Sequence, residues 1–102
     1  MSNVKDIIGL MKNPSSKDVA LVTKAFAVAQ KAHEGQTRLT GEPYIEHVFE
    51  TAKTLAQLHM CAESIAAGLL HDTLEDGRLS AEDLKKEFGE GIFFLINGVT
   101  KL

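Results

Sequence analysis

The stretch Ile65-Ala66-Ala67-Gly68-Leu69-Leu70-His71-Asp72-Thr73-Leu74-Glu75-Asp76 decides the architecture. Its first six residues are apolar or small on every face. A helix built from them has no side suited to water, so the reading is a buried helix, predicted over 62–72, with others packed around it. The same stretch then runs into a histidine and three carboxylates. Burying a carboxylate without a partner is costly, and the C-terminal end of a helix is itself slightly negative. If helical geometry continues, Asp72 and Asp76 stand four apart, as do His71 and Glu75, and their side chains converge. A divalent cation would compensate them. Imidazole and carboxylate without sulfur suit manganese, iron, cobalt or zinc better than magnesium or calcium. The structural alternative is a polar helix end reaching water.

Working outward, the flanking segments also carry helical spacing. A short helix is predicted over 4–12, stopped by Pro14, with Ser15 or Ser16 capping the next element. Val19, Val22, Phe26 and Ala29 recur at three and four residues in an Ala-rich helix over 17–33. Gly35 to Glu42 reads as a loop, and Pro43 suits the first turn of a third helix that ends near His59. Ser80 and Asp83 form a capping box for a helix over 81–88, which Gly89 terminates, and Ile92 to Ile96 begins another. No segment alternates with period two. The expected fold class is all-α, a bundle of five to six helices in one domain.

The 102 residues are 44% hydrophobic and 25% charged, an ordinary globular composition. No apolar run approaches the roughly 18 residues that span a bilayer. A formal net charge of −3 suits sequence-independent nucleic-acid binding poorly, although a local basic site can still grip a phosphorylated ligand. One cysteine excludes a disulfide framework and favours a reducing, cytoplasmic compartment. Cys61 reads as a small buried or half-buried residue.

Among the remaining polar residues, His47 is the natural third ligand, on a face shared with Tyr44, Thr51 and Leu58, or else a surface histidine. His33 and His59 sit near helix C-termini, where the dipole favours them, and are read as structural. Arg38 stands in the Gly-containing loop, able to stack on a base or pair with a phosphate, or simply solvated. The spacing of Tyr44 and Phe49 suits core positions.

Taken in order, the blocks Ala32-His33-Glu34-Gly35-Gln36-Thr37-Arg38, Thr40-Gly41-Glu42-Pro43-Tyr44-Ile45-Glu46-His47, Ala67 to Asp76, Phe88-Gly89 and Gly98 to Leu102 match one family. The sequence resembles the N-terminal HD hydrolase domain of RelA/SpoT-type alarmone enzymes, including small standalone alarmone hydrolases, from about Val19 to Leu102. The resemblance implies a manganese-dependent 3′-pyrophosphohydrolase that converts guanosine 3′,5′-bis(pyrophosphate) to GDP or GTP plus pyrophosphate. His47, His71 and Asp72 would then be metal ligands, and Glu75 with Asp76 the acidic pair that activates water. Arg38 would pack on guanine, with Tyr44 beside it in the substrate site. Synthetase-dominant relatives lose the His-Asp and Glu-Asp pattern, so its presence points to hydrolysis.

Leu39 and Val48 depart from the family's usual Lys and Pro. The family's fourth ligand, an Asp in a later block reading roughly Leu-Ala-Asp-Arg-Leu-His-Asn, has no counterpart here. The expectation is therefore a partial HD domain over 1–102, truncated at its C-terminus and doubtful in activity by itself. An apolar C-terminal stretch gives a reason to expect a homodimer. Two other readings stay open: a non-catalytic helical module that binds a nucleotide or a protein, and an HD phosphohydrolase acting on another nucleotide.

Overall fold

The computed structural model describes the backbone of residues 3–100 and the side chains of residues 3–98. Lys101 and Leu102, which close the last resembling block, lie outside the described residues. Five helices follow one another: α1 (Val4–Leu10), α2 (Ser16–Ala32), α3 (Tyr44–Gln57), α4 (Ala62–Glu75) and α5 (Ala81–Thr100). Among the described residues the only strand-like pairing is an isolated antiparallel bridge between Thr37 and Pro43. The all-α expectation stands.

Local chemistry sets the boundaries. Ser15 caps α2, its hydroxyl accepting from the Asp18 N–H at 3.0 Å while the Asp18 carboxylate accepts from the Ser15 N–H at 3.0 Å. Ser80 and Asp83 repeat this reciprocal arrangement at the start of α5, at 3.0 and 3.4 Å. Pro43 is the residue before α3 and not part of its first turn, with ψ at 133°. The bridge to Thr37 holds it extended, and the Tyr44 N–H is already committed to the Gln36 carbonyl at 2.8 Å.

Helix α4 runs past the expected stop at residue 72 to Glu75. Nothing between Asp72 and Asp76 breaks a helix, and the reversal comes at Gly77, whose φ of 71° suits glycine. There the Gly77 N–H donates to the Leu74 carbonyl at 3.1 Å and the Arg78 N–H to the Thr73 carbonyl at 2.8 Å, closing the helix end. Helix α5 is broken at Gly89, with φ 85° and ψ 166°, so the two expected helices form as two limbs of one kinked element.

The core lies around α4, which packs against α2, α3 and α5. Every residue from Ile65 to Leu70 is buried, as the opening stretch predicted. Val22, Phe26 and Ala29 of α2, Val48, Phe49 and Ala52 of α3, and Leu84, Ile92 and Ile96 of α5 complete it. A Cβ at Gly68 would stand 2.6 Å from Leu55 Cδ1, so a glycine there lets α3 close on α4. Cys61, expected to be at least half-buried, is exposed, because it precedes α4 instead of facing the core, and its thiol meets the Ser64 hydroxyl at 3.2 Å. Phe94 is 76% exposed on the outer face of α5. No described helix is long and apolar enough to cross a membrane.

Candidate metal centre

The extra turn of α4 carries the acidic end of the buried helix to the surface at a single place. Asp72 is 7% exposed and is held from two sides. His71 Nε2 lies 3.0 Å from its Oδ1, and the Tyr44 hydroxyl donates to its Oδ2 at 3.0 Å. The hydrogen bond from His71 is the main reason the Asp72 carboxyl stays below its ordinary range. Burial opposes this, while the charge of His71, the Tyr44 hydroxyl and the charge of His33 add to it.

His71 is oriented by its own helix. Its Nδ1 lies 2.8 Å from the Gly68 carbonyl, which only accepts, so Nδ1 carries the proton and Nε2 is the atom turned toward Asp72. That is the arrangement a metal-ligating histidine needs: one nitrogen fixed on a carbonyl, the other free for a cation. In the protonated imidazole Nε2 donates to Asp72 Oδ1. Hydrogen bonding to Asp72, then to Gly68, and the charges of Asp72 and Glu75 raise the His71 pKa above its ordinary value, against the opposing effect of burial.

Glu75, one turn beyond His71, completes a group. Ligand atoms of His71, Asp72 and Glu75 all lie within 4.8 Å of one another. Glu75 was expected to act on water, and the structure places it with the candidate ligands. Asp76 follows at the helix cap, where its Oδ2 accepts from Gln36 Nε2 at 3.2 Å. The donor set is one imidazole and several carboxylates around a buried anionic group. It fits a borderline divalent cation, and the mutual approach of these like charges is otherwise unfavourable.

The N-terminal turn of α3 faces this cluster. Tyr44, expected in the core by its spacing, is half-buried and polar in role: its ring packs at 4.8 Å from the His33 ring and its hydroxyl reaches Asp72. Burial first, then the hydrogen bond to Asp72 and the charges of Asp72 and Asp76, push its pKa up to about 12, opposed by Arg38. It therefore stays a neutral donor. His47, one turn along α3, is half-buried with its ring edge-on to Tyr44 at 5.7 Å. It borders the cluster through Tyr44 and is outside the group whose ligand atoms lie within 4.8 Å.

Arg38 is exposed in the α2–α3 loop, its N–H donating to the Glu42 carbonyl at 2.8 Å. With Thr37, Leu39, Thr40 and Tyr44 it lines an open cleft of about 510 Å³. Leu39 stands fully exposed at its rim. His71 borders a second hollow of about 380 Å³ with Thr51, Ala67 and Leu95. His59 is exposed and away from these groups at the α3 terminus.

Two participants escaped the sequence reading. His33 was read as a helix-end histidine, and it does cap α2, but it is 2% exposed and its Nδ1 lies 2.8 Å from Gln36 Oε1. Gln36 was not singled out at all. The available signal was their spacing: an amide three residues after a helix-end histidine, just beyond a glycine that reverses the chain at φ 79°.

Over most of its length the chain is similar to known proteins. The family described as HD domain matches residues 25–102. A chloroplastic protein of Oryza sativa subsp. japonica, named a probable GTP diphosphokinase, is 46% identical over 82 residues, covering 80% of this chain and 11% of its own length. Two bacterial relatives are named guanosine-3′,5′-bis(diphosphate) 3′-pyrophosphohydrolase. The one from Vibrio cholerae is 43% identical over 84 residues, covering 82% of this chain and 12% of its own. The one from Haemophilus influenzae is 48% identical over 75 residues, covering 74% and 11%. The chain therefore spans about a ninth of the length of these relatives.

Proposed function

The chain belongs to the HD domain family, and from that premise we propose that it carries the metal centre of a guanosine 3′,5′-bis(pyrophosphate) 3′-pyrophosphohydrolase. The observation that carries the reading is the convergence of His71, Asp72 and Glu75 at the end of a buried helix, with His71 Nδ1 fixed on the Gly68 carbonyl. Names of the Vibrio and Haemophilus relatives support the substrate and the direction of reaction.

In this reading His47, His71 and Asp72 hold a divalent transition metal, manganese first. Its chemistry is to acidify a bound water and to neutralise charge on a pyrophosphate. The protein's own groups do the rest. Glu75 and Asp76 accept the proton of the attacking water. Tyr44, protonated throughout the neutral range, keeps Asp72 oriented through its hydroxyl. Arg38, at the rim of the adjoining cleft, packs on the guanine base and offers its charge to the nucleotide. A second copy of the chain is the partner we propose for the exposed apolar face of α5, and the single cysteine suits a reducing, cytoplasmic setting.

Pyrophosphate release from a panel of nucleotides, with and without manganese, tests this reading. The expected result is release from guanosine 3′,5′-bis(pyrophosphate) that needs the metal and vanishes in His71→Ala. Release from an unrelated nucleotide alone would move the chain to a different substrate class. No release by folded protein would favour a non-catalytic nucleotide-binding module.

A further inference from the structure

Gln36 uses its backbone N–H and carbonyl and both polar atoms of its side chain, and between them these bonds reach the ends of three helices. Its backbone N–H donates to the His33 carbonyl at 2.9 Å, and its backbone carbonyl accepts from the Tyr44 N–H at 2.8 Å. Its side-chain oxygen meets His33 Nδ1 at 2.8 Å, and its side-chain nitrogen donates to Asp76 Oδ2 at 3.2 Å. One residue thereby ties the end of α2 to the start of α3 and the end of α4.

The direction of this chain of bonds follows from chemistry. An ionised carboxylate only accepts, so the amide nitrogen of Gln36 faces Asp76 and its oxygen faces His33. Nδ1 of His33 must then be the donor. The other nitrogen, Nε2, is buried and has no partner. A buried imidazole with one nitrogen unpaired costs stability, whereas an apolar side chain in the same place would pack without that cost. The imidazole is of use here for what its Nδ1 and its ring do. The Nδ1 proton holds the Gln36 amide, and the ring backs Tyr44 at 4.8 Å. Gln36 and Tyr44 are in turn the donors to Asp76 and Asp72.

We propose that His33 and Gln36 form a positioning unit for the reaction: a buried histidine in the Nδ1–H form sets two donors, Gln36 and Tyr44, that fix the carboxylates of Asp76 and Asp72. In this proposal the unit acts through Tyr44 and the two carboxylates it orients. Its kinetic consequence rests on the hydrolase reading, while its hydrogen-bond direction stands on its own.

Two measurements on the full chain separate these. Long-range proton–nitrogen NMR of the histidine rings, recorded above the ordinary histidine titration range, reads the tautomers directly. His33 is expected as Nδ1–H, in contrast to exposed His59, for which the form common in water, Nε2–H, is expected. A Gln36→Leu variant is expected to weaken that preference. In the pyrophosphate-release assay, Gln36→Leu should lower kcat on the order of 10- to 100-fold with KM held within about twofold. His33→Asn, which keeps an N–H near the Nδ1 position, should retain more kcat than His33→Leu. Finding His33 in the Nε2–H form, or full kcat in Gln36→Leu, would overturn the proposal. If the wild-type chain released no pyrophosphate, the hydrolase reading would fall, and the tautomer would decide the hydrogen-bonded unit alone.

Discussion

Asp72 and His71 bias each other's protonation, in opposite senses. His71 is raised above its ordinary 6.5, chiefly by the bond to Asp72, and Asp72 is lowered below its ordinary 3.8 by the same contact. In the metal-free protein the stability contributed by His71 is fully present below 6.5 and is lost as pH rises through its raised value. That contributed by Asp72 is fully present above 3.8 and is lost as pH falls through its lowered value. Urea unfolding across pH should therefore show the largest gap between wild type and Asp72→Asn inside that window, narrowing on both sides. A gap independent of pH would remove the pair from the stability of the fold. These residues were legible in advance because a His and several carboxylates abutted a run with no polar face. Tyr44 was legible only in part: its spacing suggested core, and its hydroxyl's reach to Asp72 depends on how α3 crosses α4. That crossing comes from tertiary packing and is not written in local sequence.

Helix ends carry much of what the sequence made visible in this chain. Ser80 with Asp83 was readable as a capping box and Ser15 or Ser16 as a cap, while the reciprocal partner of Ser15, Asp18, was not read. Ser15→Ala should lower stability by about 1 kcal/mol in thermal or chemical unfolding, and an unchanged midpoint would show the cap to be redundant. At the end of α3 the chain reverses at His59, with φ 57°, where glycine would be the usual choice. The Met60 N–H donates to the Leu55 carbonyl at 3.1 Å and the His59 N–H to the Ala56 carbonyl at 3.0 Å. His59→Gly should relieve the left-handed strain and raise stability by roughly 0.5–1 kcal/mol with no effect at the metal site. Loss of stability would mean the imidazole contributes more than its backbone strain costs. The stop of α4 was misjudged for a related reason. The charged, glycine-containing stretch from Glu75 to Ser80 was read as a loop, but a helix ends where its backbone reverses, and that happens at Gly77.

At the scale of the whole molecule, α4 is both the centre of the core and the platform of the candidate site. The helix whose residues 65–70 are buried also carries His71 and Asp72, at its end beside α2 and α3. The all-α bundle was legible because periodicity, caps and glycine breaks agreed along the chain. The network joining His33, Gln36, Tyr44 and Asp76 was not, since it is built from contacts across three connections. Binding of a cation at the end of α4 should stabilise the fold by about 2.7 kcal/mol when the free metal reaches roughly 100 times its dissociation constant. On the reading proposed above, this end of α4 holds the metal. The most direct measurement is a manganese titration of the folded chain, reading free Mn2+ by electron paramagnetic resonance, in wild type and in His71→Ala. The wild type is expected to take up one equivalent saturably, and a His71→Ala variant that keeps its helical signal is expected to lose that uptake. No saturable uptake, or uptake indifferent to His71, would contradict that reading.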